Sequence, residues 1–217
     1  MQQTATVETL RTEVELAYTW DYRPEARSLR DLYVKAKALQ WDGARDLPWQ
    51  TDVDPEGPGF PDVAVPIWGS DIWERMTERE RRRAKVEMMA WTLSQFLHGE
   101  QGALLATSQL ATTVRTMDAR LYAATQVMDE ARHVEVFERY LREKAPRVWP
   151  VTPTLKSLLN QILTDGRWDM KYLGMQIMVE GLALAAFGVM RETTDEPLIR
   201  ELTGAVIRDE ARHVAFG

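Results

Sequence analysis

The chain has 217 residues, a formal net charge of −6, 45% hydrophobic residues and no cysteine. That length suits one domain with a substantial core, and the missing cysteine excludes disulfides, iron–sulfur ligation, cysteine-held zinc and a thiol nucleophile. The acidic balance argues against a nucleic-acid partner, because basic clusters such as residues 79–83 are interleaved with acids as on a solvated helix face. The first residues carry no basic segment followed by an apolar one, and no uncharged apolar run approaches membrane-spanning length. The expectation is a soluble, cytoplasmic protein with no membrane partner.

Residues 26–40 place Leu29, Leu32, Tyr33, Ala36 and Leu39 at helical spacing, which predicts a short amphipathic helix. Residues 48–69 hold five prolines, three glycines and two tryptophans, a composition that sustains neither helix nor central strand and predicts an ordered covering loop. Thr77 with Glu80 forms a capping-box pattern that opens a long helix, with an inward stripe of Val86, Met89, Leu93, Leu97, Glu100 and Leu104. A second stripe runs Ala119, Ala123, Gln126, Glu130, His133, Phe137 and Tyr140, until Pro146, Pro150 and Pro153 break it. Residues 154–164 form a short connecting helix. A third stripe runs Leu173, Ile177, Glu180, Leu184 and Phe187, and past a proline-containing turn a fourth runs Ile199, Leu202, Val206, Glu210 and His213. The fold expected is all-α, a four-helix bundle over residues 77–217 with an irregular N-terminal cover over residues 1–76.

The hexapeptide Asp-Glu-Ala-Arg-His-Val occurs twice, at residues 129–134 and 209–214, and the copies contain two of the three histidines. A Glu and a His three residues apart lie about 60° apart around a helix, so Glu130 with His133, and Glu210 with His213, each offer a carboxylate and an imidazole to one point. In an antiparallel helical hairpin, residues equidistant from the turn share a height. Glu100 and Glu130 therefore meet if the turn lies near Arg115, and Glu180 and Glu210 meet about Asp195. Glu180 interrupts an otherwise almost uncharged stretch, residues 172–190, where an unpaired carboxylate is costly to bury. His98 stands two residues from Glu100, on the opposite face, and is left out of the site. One Glu from each of two helices plus Glu-x-x-His from each of two others is the pattern of a dinuclear carboxylate centre. The four carboxylates balance two divalent cations, and mixed oxygen and nitrogen ligation suits iron or manganese.

Asp-Glu-Ala-Arg-His matches the Asp-Glu-x-Arg-His signature, and over residues 85–217 the chain resembles the ferritin-like di-iron carboxylate superfamily. It resembles the oxygen-activating branch, which includes multicomponent monooxygenase hydroxylases, ribonucleotide-reductase-like oxidases and, in related form, acyl-carrier-protein desaturases. The resemblance implies a ferritin-like bundle holding two iron ions, or manganese and iron, on Glu100, Glu130, His133, Glu180, Glu210 and His213. It also implies that Asp129, Arg132, Asp209 and Arg212 orient the metal-bound histidines, each aspartate serving the histidine of the opposite copy. Several subfamily marks are absent. Phe137 stands where ribonucleotide reductases have a radical tyrosine, and Gly102 and Met175 stand where the ligand-binding oxidases have a cross-linked Val and Tyr. Leu184 replaces a threonine common in the monooxygenases. Arylamine N-oxygenases have a further histidine four residues before the last ligand Glu, and here that position is Val206. No named subfamily is matched throughout, and by comparison with these relatives the chain reads as C-terminally truncated.

The expected function is oxidation of an organic substrate with dioxygen by hydroxylation, desaturation or N-oxygenation, drawing on an external electron donor in a homodimer. Positions one turn from the ligands, namely Phe96, Ala103, Leu104, Phe137, Ile177, Ala183, Leu184 and Phe187, predict an apolar substrate, with Thr107 and Gln126 as polar exceptions. A ferroxidase or iron-storage role is the alternative. A metal-free structural bundle would have to bury four carboxylates and two imidazoles without cations.

Overall fold

A computed structural model of the chain describes residues 7–54, 57 and 60–217. The expectations that touch residues 1–6, and the parts of the covering loop at residues 55–56 and 58–59, lie outside the described residues.

Helix α1 spans Arg27–Ala38 and α2 spans Asp71–Arg75. The 36-residue α3, Glu78–Thr113, starts at the capping box: Glu80 N–H donates to Thr77 Oγ1 at 3.3 Å and Thr77 N–H to Glu80 Oε2 at 2.7 Å. After a turn that contains Arg115, α4 runs Met117–Glu143, with Thr116 accepting from Ala119 N–H. The prolines at 146, 150 and 153 end that periodicity, and Thr152 with Pro153 opens α5, Pro153–Thr164. A continuous helical rod follows, made of α6 (Trp168–Lys171), a π-helical segment (Tyr172–Val179) and α7 (Glu180–Thr193). The last helix, α8, spans Pro197–Phe216, and the Glu196 carboxylate caps it by accepting from Leu198 and Ile199 N–H at 2.8 and 2.6 Å.

Helix α3 packs antiparallel on α4, the rod packs on α8, and the two hairpins close into an all-helical, ferritin-like bundle with no strand among the described residues. The largest core cluster lies between the two hairpins and joins Leu93, Phe137, Tyr140, Phe187, Leu198 and Leu202. Leu47, Trp49 and Phe60 enter that same cluster. The expected covering loop is therefore packed core material, pinned where Trp49 Nε1–H donates to the Gly43 carbonyl at 2.6 Å.

One expectation needs correction. In the third stripe, Ile177 and Leu173 are 50% and 44% exposed, while Met175 and Gln176 are fully buried. A π-helix has more residues per turn than the period of 3.6 assumed, so the eight residues before Glu180 rotate relative to it and the inward face passes from Ile177 to Gln176. Glu180 breaks the longest apolar run, as expected, yet Trp168–Thr193 still holds an 18-residue window long and apolar enough to cross a membrane by length and composition. Only 28% of that window is buried, and Met178, Leu182 and Val189 line an exposed apolar face.

Candidate metal centre

The inward residues of α3, α4, α7 and α8 meet at mid-height. Glu100, Glu130, His133, Glu180, Glu210 and His213 are all at most 5% exposed. His133 Nδ1 lies 3.1 Å from Glu100 Oε2, 3.5 Å from Glu130 Oε2 and 3.2 Å from Glu210 Oε1. His213 Nδ1 lies 3.2 Å from Glu130 Oε1, 3.6 Å from Glu180 Oε2 and 3.4 Å from Glu210 Oε1. Two groups result, each with donor atoms within 4.8 Å of one another: Glu100, Glu130, His133 and Glu210, and Glu130, Glu180, Glu210 and His213. Glu130 and Glu210 belong to both, and Glu100 and Glu180 to one each.

The donor set fits a pair of cations. Glu130 Oε2, both carboxylate oxygens of Glu210, and His213 Nδ1 are buried without a hydrogen-bond partner, and all are turned toward the shared space. Four carboxylates and two imidazoles in one dry interior need positive charge, and without cations they draw it from protons. Burial, with the neighbouring Glu210 and Glu130, pushes the Glu100 carboxyl up to about 8 against the pull of His133. Burial likewise lifts Glu180 well above the ordinary carboxyl range. Burial alone would lower both imidazoles, but the facing carboxylates raise His133 and His213 well above the usual histidine value. Glu210 moves the other way: although burial opposes its charge, His213 and His133 hold it well below the ordinary range. These are oxygen and imidazole ligands of the kind that hold iron or manganese.

Behind the imidazoles lies a crossed set of charges. His133 Nε2 faces Asp209 Oδ2 at 3.2 Å and His213 Nε2 faces Asp129 Oδ2 at 3.4 Å, so each repeat's aspartate lies against the other repeat's histidine. Arg132 reaches Asp129 Oδ1 and, at 2.8 Å, Asp209 Oδ2. Arg212 reaches Asp129 Oδ2 at 2.9 Å and Asp209 Oδ1 at 2.6 Å. A square of two carboxylates and two guanidiniums thus fixes both rings and leaves the Nδ1 atoms facing inward.

Sequence reasoning left three participants unassigned. Gln126 Nε2–H donates to Glu130 Oε1 and to Glu180 Oε1, each at 3.0 Å, and so ties the two hairpins together. Its place on the inward stripe was the signal. Gln40, from the end of α1, donates to Asp129 Oδ1 at 2.9 Å, and Trp41 Nε1–H donates to Asp209 Oδ2 at 2.7 Å. Nothing in the local pattern marks those two. His98 stays outside the cluster, with Nε2 2.9 Å from the Trp149 carbonyl oxygen. Of the apolar lining, Phe96, Phe137 and Phe187 form an aromatic group with centroids 4.7 to 6.0 Å apart, whereas Ile177 faces out.

Fold and cluster together define a ferritin-like bundle built to hold metal among buried Glu and His side chains. A family model, p-aminobenzoate N-oxygenase AurF, matches residues 23–217. The chain belongs to that family of di-iron oxygenases and is a dioxygen-dependent oxygenase. The match places the chain with the N-oxygenases, from whose expected pattern it departs at Val206. Comparison with curated proteins gave no match, and comparison with solved structures gave none.

Proposed function

We propose that the protein uses two iron ions to oxygenate the nitrogen of a small aromatic amine. The observation that carries this reading is the meeting of six buried Glu and His side chains, with unpartnered atoms turned to one space, in a chain of an N-oxygenase family. Glu100, Glu130, His133 and Glu210 would hold one iron, and Glu130, Glu180, Glu210 and His213 the other, with Glu130 and Glu210 shared. When bound by these residues, reduced iron would supply electrons for dioxygen activation.

The chain's own residues do the rest. Asp129, Arg132, Asp209 and Arg212 keep the two imidazoles in one tautomer, with Nδ1 free to bind. Gln126 holds Glu130 and Glu180 at a fixed separation. Phe96 and Phe137, one turn from Glu100 and His133 in sequence, pack with Phe187 in the main core cluster and keep water from that side of the site. An external electron donor and a homodimeric assembly complete the reading.

The test incubates iron-loaded protein with dioxygen, a chemical reductant and p-aminobenzoate, and separately with an aromatic hydrocarbon lacking nitrogen. Hydroxylamine or nitro products from the amine alone support the proposal. Ring or side-chain hydroxylation of both substrates replaces it with C-oxygenation. Continued uptake of iron far beyond two per chain, with no organic product, replaces it with iron storage.

A further inference from the structure

The two copies of the hexapeptide are identical, but the residues that support them from outside are not. Arg132 and Arg212 each reach both aspartates, each touching the histidine-facing oxygen of one and the far oxygen of the other, so as a pair they treat the two histidines alike. Gln40 and Trp41 each reach only one. Trp41 Nε1–H donates to Asp209 Oδ2, the same oxygen that faces His133. Gln40 donates to Asp129 Oδ1, whereas the oxygen facing His213 is Oδ2. Two adjacent residues at the end of α1 therefore break the symmetry of the centre, one contacting the orienting oxygen directly and the other acting on its neighbour.

Trp41 is held in place for this. The Arg132 guanidinium lies 4.7 Å from its ring centroid, and Arg132 also donates to Gln40 Oε1 at 2.7 Å. The indole forms part of the wall of a cleft of about 620 Å³ between α1 and α4, shared with Tyr33, Lys37 and Met128. It is half-buried, packs against the edge of the main hydrophobic cluster and turns its N–H to a fully buried aspartate.

We propose that Trp41 is a positioning residue for one metal site alone, the group formed by Glu100, Glu130, His133 and Glu210, by fixing the Asp209 oxygen that orients His133. This rests on the reading of the six-residue cluster as a dinuclear centre. A hydrogen-bond acceptor behind a ligating imidazole sets the ring's rotation and its basicity, and loss of such a partner typically weakens metal binding by about 10- to 100-fold. Deleting the indole N–H leaves Asp209 with both guanidiniums, so the fold persists while the orienting oxygen loses its outermost donor.

The unshared carboxylates allow each site to be read separately. Cobalt(II) is titrated into the full chain, followed by its visible absorption and by competition with a chelating dye, in Glu180→Ala and Glu100→Ala backgrounds. In Glu180→Ala, which keeps the His133 group, Trp41→Phe is expected to weaken the remaining cobalt by about 10-fold or more and to alter its absorption bands. In Glu100→Ala, which keeps the His213 group, the same substitution is expected to change neither. Trp41→His, which restores an N–H donor, should recover part of the loss. Equal shifts in both backgrounds, or none in either, overturn the proposal, and so does loss of the helical circular dichroism signal in both Trp41 variants, which would make Trp41 a fold anchor. If the parent chain binds no cobalt, the reading of the centre itself fails; if it binds two and Trp41→Phe changes nothing, only the present inference does.

Discussion

Glu180 sits at 2% exposure within the most apolar helix of the chain, and its Oε1 accepts from Gln126 while its Oε2 faces His213. Because Glu180 enters only one of the two ligand groups, Glu180→Ala is expected to lower the metal content from about two per chain to about one with helicity retained. Elemental analysis beside circular dichroism checks this, and a full complement of metal in the variant would remove Glu180 from the site. Asp209 makes the complementary case. It accepts from Trp41 and both guanidiniums and faces His133; although burial opposes its charge, these partners hold its carboxyl well below the ordinary range. Asp209→Asn should weaken iron(II) binding by about 10- to 100-fold. An exposed pair such as Arg27–Asp31 contributes at most about 0.5 kcal/mol of stability and leaves metal binding unchanged when broken. Gln176 provides a contrast of a third kind, since both its amide atoms are buried without partners. Replacing it by leucine removes an unmet desolvation cost, so Gln176→Leu should hold or raise the melting temperature.

The helices owe their placement to signals of unequal visibility. Thr77, Thr116, Thr152 and Glu196 each cap the helix that follows, so four starts are written locally. Helix α1 has no such cap of its own. Asp118, from the first turn of α4, accepts from Glu25 and Ala26 N–H at 2.8 and 2.9 Å and binds Arg30, capping α1 from ninety residues away. That contact holds the N-terminal end of α1, while Gln40 and Trp41 reach the centre from just past its other end, and no reading of α1 alone contains either contact. The π-helical segment is equally hidden, because its residues are ordinary apolar helix formers and only packing decides the looser winding. Close packing also sets the distance between α3 and α5. A Cβ at Gly102 would fall 2.5 and 2.8 Å from the two δ-carbons of Leu159. Gly102→Ala should therefore push that leucine aside and cost about 1 to 3 kcal/mol, measurable by denaturant unfolding.

The bundle as a unit couples its stability to protons and metal. The metal-free chain holds extra protons on Glu100, Glu180, His133 and His213, all raised above their unfolded values. A raised value means the folded state binds a proton that the unfolded state has released, so the stabilisation is complete below the unfolded value and fades as pH rises through the folded one. For Glu100 that interval runs from the ordinary carboxyl value of 4.5 to about 8. For the histidines it begins at 6.5 and extends above it. The metal-free protein should therefore lose melting temperature as pH is raised from about 6 to 9, and saturating iron(II) or manganese(II), which replaces the protons, should flatten or reverse the slope. Calorimetry with and without metal reads both curves, and a metal-free chain that gained stability over that range would contradict the assignment of protons.

The repeated hexapeptide, the lone Glu180 in an apolar helix and the equal spacing of Glu100, Glu130, Glu180 and Glu210 about two turns were readable in the linear chain. They could be read because helix periodicity and hairpin symmetry are local rules that convert residue number directly into direction and height. Two things were decided only on folding: the sharing of Glu130 and Glu210 between both groups, and the arrival of Gln40 and Trp41 from an element read as mere cover. Each depends on the rotation and approach of helices far apart in sequence, set by packing rather than by propensity. The replacement of Ile177 by Gln176 at the inner face has the same origin, since a π-helix is a choice made by neighbouring helices and leaves no mark in the period of the residues that adopt it.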